Sequence, residues 1–429
     1  MKQQLVKGAR AILPASSIHT LEDRYRKARV KLVSARYGHP ARSLRVIAVT
    51  GTNGKTTTAN YINEILKESG ATTAMFTTAV IEVAGDRKIN DLNVTVASTA
   101  RMQQFFRDAK KARVDFVVLE ITSHSLQQHK LDGTPIEAAI MTNLTQDHLD
   151  YHKSMEAYAE AKAILFQQHP KFIVLNRDDE WFDYFNEFEA EDQKMTYGFH
   201  DTAEAKITHT KLYKKGSEAE LVFDTQTHVE LATYLPGKFN ISNMAAAATI
   251  AYLLGLDVKD IQGGIANLEG VPGRFEHVVE DLPYDVVVDY AHTPDALEKL
   301  LEAARDLAKN RVILVFGACG ERDKSKRPIM GEIAARLADR IILTDEESYN
   351  EEPSGIRRDI YRGIEKAGAT ARTTEIADRK EAIKKALSVA TKDDIVLITG
   401  MGHEQFRISN GKREPWNDGD VVRELLRKS

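Results

Sequence analysis

The segment GTNGKTTT at residues 51–58 follows the apolar run Val46-Ile47-Ala48-Val49 and precedes a helical pattern from Ala59 to Lys67. Strand, glycine loop and helix in that order are the context in which a phosphate-loop match is credible. Gly51 and Gly54 let backbone N–H groups crowd phosphate oxygens, Lys55 supplies a point charge, and Thr56 offers a hydroxyl to Mg²⁺. Residues Gly51, Thr52, Asn53, Gly54, Lys55, Thr56 and Thr57 are therefore expected to bind ATP. The generic pattern has glycine where this chain has Val49, so the loop is a variant with an Asn-Gly pair before the lysine. A turn that only looks like such a loop is the alternative.

A chain of 429 residues exceeds one ordinary core, so two or three domains are expected. With 42% hydrophobic and 28% charged residues it falls among globular chains rather than disordered or membrane ones. No apolar run reaches the roughly 18 residues that span a bilayer. The start, MKQQLVKGARAILPASS, lacks the apolar core of a secretion signal. The single cysteine, Cys319, excludes an internal disulfide framework and a multi-cysteine zinc site, and reads as a small packing residue. A cytoplasmic location, no nucleic-acid partner and a monomer are expected. Residues 1–45 hold eleven Lys or Arg against Glu22 and Asp23, a net of +9 in a chain whose total is −4. Such an arm meets lipid headgroups or a phosphorylated substrate, or is simply a solvated helical surface; both readings stand.

Between residues 45 and 235 short apolar runs (45–50, 115–121, 136–142 and 171–175) alternate with helical patterns, which implies a mostly parallel sheet flanked by helices. A polar segment from about 190 to 235 reads as antiparallel strands, and an alanine-rich helix follows from Ala245 to Leu254. Gly270-Val271-Pro272-Gly273 breaks the periodicity, and the runs 286–290, 312–317, 340–344 and 394–399 then alternate with helices again. The expected organisation is a short basic segment (1–44), a central domain (45–272) and a second α/β domain (273–429).

Glu120 ends the run 115–121, where a carboxylate points into the crevice that open α/β sheets use for ligands; it is a Mg²⁺ candidate, or else an ordinary acidic strand end. The next run ends in Thr142-Asn143-Leu144-Thr145-Gln146-Asp147-His148-Leu149-Asp150-Tyr151-His152, a loop dense in amide, carboxylate and imidazole groups. Met155, Tyr158, Ala159, Lys162, Leu165 and Phe166 recur at helical spacing and put the lysine on an apolar face. A desolvated lysine can remain neutral and take up CO₂ as a carbamate able to bind Mg²⁺; snorkelling of the ammonium to water is the alternative. Farther on, Arg274 follows the Gly270–Gly273 break, and the stretches Asp289 to Asp295 and Phe316 to Pro328, the latter dense in charge, close further runs, as phosphate- and carboxylate-binding loops do; a solvated charged loop is the alternative for each.

Together these segments resemble the Mur ligase family, and within it the UDP-N-acetylmuramoyl-tripeptide synthetase (MurE) branch. The resemblance covers roughly residues 30–429 and rests on nine motifs in order: GTNGKTTT, LEITSHSL (119–126), TNLTQDHLDYH (142–152), AEAKAILF (159–166), GKFNISN (237–243), VPGRFE (271–276), VDYAHTPDALE (288–298), FGACGERDKSKRP (316–328) and TGMGHE (399–404). It implies an α/β fold: a central ATPase-like Mur ligase domain with a mostly parallel sheet, and a Rossmann-like carboxyl-terminal domain. It implies an ATP- and Mg²⁺-dependent amide ligase, active in peptidoglycan precursor synthesis, that adds an amino acid to UDP-N-acetylmuramoyl-L-alanyl-D-glutamate through an acyl-phosphate. By the same resemblance Lys55, Glu120, His148 and a carbamate on Lys162 are catalytic; Thr56, Glu120, His148 and Lys162 hold metal; and Asn143, Asn243, Arg274 and Asp289 contact the nucleotide. Substrate contacts fall to Thr95, Ser123, Lys130, His292, Arg327, Glu346, Glu347, Gly400 and Glu404.

The chain also departs from the family pattern. Only a short segment precedes the phosphate loop, where the family carries a uridine-gripping domain; the Thr-Thr-Pro substrate loop reads Thr95-Val96-Ala97; an arginine is Lys130; and the lysine of the last motif is Met401. The Asp-Asn-Pro-Arg motif of diaminopimelate enzymes reads Glu346-Glu347-Ser348-Tyr349, with Glu351 and Glu352 beyond, so a cationic side chain such as lysine or ornithine fits better. Two rivals remain: a similar ligase on a carboxylate without a uridine handle, such as a lipid-linked one touching the membrane through the basic arm, and an ATP-driven switch or scaffold. Against the switch, the second α/β half has substrate-type loops of its own, and no Asn-Lys-x-Asp guanine motif occurs.

Overall fold

The computed structural model describes residues 15–90, 98–224, 226–409 and 411–427. Two sheets organise the chain. The first has eleven strands in the order β11-β10-β9-β8-β7-β6-β1-β5-β2-β3-β4. In chain order these are β1 (Arg45–Thr50), β2 (Thr73–Phe76), β3 (Val80–Val83), β4 (Asp86–Ile89), β5 (Phe116–Glu120), β6 (Ile136–Met141), β7 (Phe172–Asn176), β8 (Gln193–Gly198), β9 (Ala205–Tyr213), β10 (Gly216–Phe223) and β11 (Thr227–Thr233). The second sheet runs β12-β13-β17-β14-β15-β16. Its strands are β12 (Glu276–His277), β13 (Asp285–Asp289), β14 (Val312–Phe316), β15 (Arg340–Leu343), β16 (Thr373–Glu375) and β17 (Ile395–Thr399).

Strand alternation explains why β1 is apolar throughout. Ile47 and Val49 enter the core on one face and Val46 and Ala48 the core on the other, so helices must cover both sides. One face takes the helices Lys55–Glu68, Lys238–Leu253 and Val258–Ala266; the other takes Thr99–Ala112 and Met155–Ala163. Packing on the first face is close: a Cβ on Gly264 would lie 2.3 Å from the Ile65 Cα. The second sheet repeats the scheme, with Val287 facing one core and Val286 and Val288 the other.

Three expectations change in detail. Within residues 190–235, β8 pairs in parallel with both β7 and β9 and only β9–β11 form an antiparallel meander; the helix Phe182–Asn186 carries the crossover that makes β8 parallel to β7, and β2–β3–β4 form a second antiparallel meander at the other edge of the sheet. The alanine-rich helix starts at Lys238, seven residues before the alanines, with Gly237 (φ 99°) turning the chain into it. The helix after the phosphate loop starts at Lys55 itself, capped by Gly54 at φ 84°. The Gly270–Gly273 break falls between the last helix on the first sheet and β12. No helix among the described residues is long and apolar enough to cross a membrane.

The helix Asp418–Arg427 is pinned to the second sheet by a buried fork. Arg379 Nε and Nη2 donate to Asp418 Oδ1 and Oδ2 at 2.8 and 2.6 Å, and Nη2 also donates to the Thr399 carbonyl at 2.8 Å. Both side chains are fully enclosed. Removing one partner strands a charge in the interior, so Asp418→Ala is expected to lower unfolding free energy by about 3–5 kcal/mol, read from urea denaturation.

Candidate active site

The adjacent strands β6, β1 and β5 deliver three loops to one sheet edge. β1 leads into the phosphate loop, β5 ends at Glu120, and β6 runs into Thr142-Asn143. The loops are tied together: Asn53 N donates to Asn143 Oδ1 (2.9 Å), Asn143 Nδ2 to the Asn53 carbonyl (3.1 Å), and Thr142 Oγ1 to the same carbonyl (2.6 Å). Opposite lie the carboxyl ends of β13, β17, β14 and β15. Together they wall a cavity of about 990 Å³ lined by Thr52–Thr57, Glu120, Asp147, His148 and Asn243 from one side, and by Arg274, Asp289, His292, Glu346, Gly400 and Glu404 from the other.

Glu120 Oε2 accepts from Thr56 Oγ1 (2.8 Å), Thr78 N (2.9 Å) and Thr78 Oγ1 (3.0 Å). A carboxylate and a hydroxyl side by side at a phosphate loop are the hard oxygen donors Mg²⁺ takes, and Mg²⁺ needs only one or two such groups beside phosphates and water. Among the described residues no group of three or more His, Cys, Asp or Glu forms a ready-made metal cage. The pair Thr56–Glu120 thus fits the ion. His148 lines the same cavity, but its Nε2 lies 3.3 Å from Asp147 Oδ2, and burial pushes its imidazole down to about 3, leaving a neutral ring.

Lys162 is 1% exposed and does not reach the cavity wall; its Nζ donates to the Gly51 carbonyl (2.6 Å) and sits 4.6 Å above the Tyr158 ring. That enclosure contradicts snorkelling to water, and burial, then Lys55, hold the amine well below the ordinary lysine range. Lys55 donates to the Thr52 carbonyl at 2.6 Å, and burial lowers it too.

The two halves touch across the cavity. Arg274 Nη2 donates to Thr56 Oγ1 (3.0 Å), Asn53 Nδ2 to Asp295 Oδ2 (2.7 Å), and His403 Nε2 to the Thr78 carbonyl (3.0 Å). Lys326 Nζ lies 3.2 Å from Asp147 Oδ1, with both side chains buried. Burial alone would raise the Asp147 carboxyl, but Lys326, His148 and His292 outweigh it and hold it far below the usual range.

At the far end the wall turns acidic. Glu346 Oε1 accepts from the Cys319 thiol at 2.8 Å, while its buried Oε2 has no hydrogen-bond partner among the described residues. Glu347 accepts from the Tyr349 hydroxyl (2.9 Å) and the Ile408 N–H (3.1 Å). Burial, then Glu347, push Glu404 up to about 8. Asp289 is spent on structure: its oxygens accept the Phe275 and Ala291 N–H groups at 2.7 Å each, although it lines the cavity.

Several expected site residues stand elsewhere. Arg327 is 0% exposed and not on the wall, because its guanidinium is committed to Glu351, Asp359 and the Cys319 carbonyl; Arg322 and Lys326 of the same loop face the cavity instead. Ser123 is buried against His152 Nε2 (2.9 Å), and Lys130 is buried off the wall, where burial and then Arg29 lower it to about 8. Gly51 lies behind the cavity, where a Cβ would meet Thr142 Oγ1 at 1.9 Å. Thr95 lies outside the described residues. Cys319 was expected only to pack, yet it lines the cavity; burial and then Glu346 raise its thiol well above the ordinary range. Asp147 and Lys326 were visible in their motifs but carried no assigned role, and Thr78 had no sequence signal at all.

A phosphate loop on one sheet edge facing an acidic pocket on another defines an ATP-dependent ligase with two α/β units. Residues 49–251 match the Mur ligase middle domain and residues 273–402 the Mur ligase glutamate ligase domain. The UDP-N-acetylmuramoyl-L-alanyl-D-glutamate--2,6-diaminopimelate ligase 1 of Clostridium acetobutylicum is 38% identical over 419 residues, covering 97% of this chain and 85% of that protein. The corresponding ligase of Bacillus velezensis is 39% identical, covering 93% and 81%. A solved structure of a ligase of that name superposes with a TM-score of 0.62 at 36% identity, covering 90% of this chain and 78% of the other. The folylpolyglutamate synthase of Mycobacterium tuberculosis, at 17% identity and a TM-score of 0.69, covering 87% and 92%, shows the fold alone. The chain belongs to the Mur ligase family.

Gly54 has φ +84°, and a Cβ there would lie 2.2 Å from Asn243 Oδ1. Gly54→Ala is expected to weaken ATP binding about tenfold or more by calorimetry, with an unchanged circular dichroism spectrum.

Proposed function

We propose that this chain adds an amino acid to UDP-N-acetylmuramoyl-L-alanyl-D-glutamate, a step of peptidoglycan precursor synthesis, with ATP and Mg²⁺ and through an acyl-phosphate. One observation carries the reading: a single cavity joins the phosphate loop, with Lys55, Thr56 and Glu120, to the acidic wall of Glu346, Glu347 and Glu404. A carboxylate oxygen attacks the γ-phosphorus and ADP leaves; the amine nitrogen then attacks the acyl carbon, sheds its proton, and phosphate leaves. Mg²⁺, when bound, neutralises phosphate charge. The residues 45–272 hold the nucleotide through the loop amides and Lys55, and 273–429 close over it with Arg274 and present the amino acid. This work is positioning and charge neutralisation.

Lys162 acts as its carbamate. Its lowered basicity supports this, since only the neutral amine adds to CO₂. The carbamate, Glu120 and His148 would together hold a Mg²⁺ ion, whose chemistry would be to neutralise phosphate charge. Lys162→Ala is expected to abolish ligation and to regain part of it with short carboxylic acids; full activity without them would remove this role.

The incoming amino acid carries a side-chain ammonium, as lysine or ornithine does. The Oε2 of Glu346, which has no hydrogen-bond partner among the described residues, and the neighbouring Glu347 supply the complementary charge. A second reading, diaminopimelate, is favoured by Arg322, which lines the cavity 5.4 Å above the Tyr349 ring and can meet a distal carboxylate. Incubation with ATP, Mg²⁺, the uridine-linked dipeptide and a panel of amino acids, read by mass spectrometry, decides: lysine is expected to be used at least about tenfold better than diaminopimelate. A strong preference for diaminopimelate, lost in Arg322→Gln, would establish the second reading. No product with any amino acid, alongside acceptor-independent phosphate release, would refute the ligase.

A further inference from the structure

Over residues 21–36 the helix Ala15–Arg36 packs on the body through one face. It packs on the helix Thr99–Ala112, Val30 is buried, Asp23 Oδ1 meets His129 Nε2 at 2.5 Å, and Ser34 Oγ lies 3.2 Å from His39 Nδ1. The opposite face is organised. Leu21, Tyr25, Ala28, Leu32 and Ala35 follow one another at alternating steps of four and three residues, so they form one line along the helix. All are exposed, Leu21 by 54%, Tyr25 by 52% and Leu32 by 72%. Helical geometry sets Arg24 and Lys31 along one edge of this line and Arg29 and Arg36 along the other, and these four are exposed as well.

We propose that this face docks on an anionic lipid surface, the helix lying flat with the Leu21–Leu32 line among the acyl boundary and the two basic rows among the headgroups. Neither the apolar line nor the charge alone decides this; their arrangement does. An apolar strip edged on both sides by Lys and Arg is the pattern of helices that lie in a membrane interface, where anionic density flanks the strip on both sides at once. A second copy of this chain would bring the same positive rows against each other, which disfavours self-pairing through this face. The anchored inner face means that docking carries the whole enzyme to the surface rather than peeling the helix away. The inference is independent of the ligase reading and concerns no residue of the cavity.

The test uses the full chain in sedimentation with vesicles of phosphatidylcholine alone or with about one-third phosphatidylglycerol. Binding is expected only with the anionic lipid and is expected to fall steeply in about 0.5 M salt. Leu21→Glu with Leu32→Glu, and separately Arg24→Gln with Lys31→Gln, should each weaken it about tenfold or more while ATP turnover persists. Should the first pair fail to fold, the second, which changes only exposed charge, decides alone. An intact protein that binds anionic vesicles no better than neutral ones overturns the proposal. So does light scattering that shows a dimer dissolved by the Leu21/Leu32 pair, which would assign the face to contact between copies.

Discussion

The buried pair of Lys326 and Asp147 is the interaction on which the site depends. The two charges come from different sheets and meet at 3.2 Å with almost no access to water. Such a pair costs desolvation on both sides, so it fixes geometry more than it adds stability. Here it fixes the loop after β6 against the loop after β14, with the phosphate loop beside both. Arg274 on Thr56 and Asn53 on Asp295 repeat the crossing at the phosphate loop itself. Asn53, Thr56, Asp147, Arg274 and Lys326 all lie in the cavity lining, so the contacts that close the halves also border the site proposed for the nucleotide.

The same closeness explains how lysines serve different ends in one small volume. Lys55, Lys162 and Lys326 all lie where burial works against the ammonium. Only Lys326 has a buried carboxylate in direct contact and is held charged. Lys162 faces a carbonyl and the nearby charge of Lys55, so its amine loses the proton most readily. Neighbours rather than residue type set the chemistry.

Much of this was readable from the chain. The phosphate loop, the alternating apolar runs and the break at 270–273 follow from periodicity and glycine placement, and they position strands β1, β5, β6, β13, β14 and β17. What escaped was long-range or weakly patterned. Thr78, which donates twice to Glu120, sits after β2, whose four residues carry no distinctive period. Of the two arginines in FGACGERDKSKRP, the family resemblance assigns Arg327 the substrate contact, and only the fold shows that Glu351 and Asp359 claim it while Arg322 lines the cavity. The parallel pairing of β8 depended on a short helix that a polar stretch concealed. The exposed line from Leu21 to Ala35 reads in sequence as part of a basic arm, and only the anchored inner face shows which side of the helix it occupies.

The central claim is that both α/β units grip one nucleotide. Affinity for Mg²⁺-ATP in Arg274→Met, measured by calorimetry beside the parent, tests it most directly, because this side chain belongs to the second unit yet reaches the phosphate loop. The account predicts a loss of about tenfold or more, as for a desolvated charged contact. An affinity equal to the parent's would mean that the first unit holds the nucleotide alone, contradicting the account.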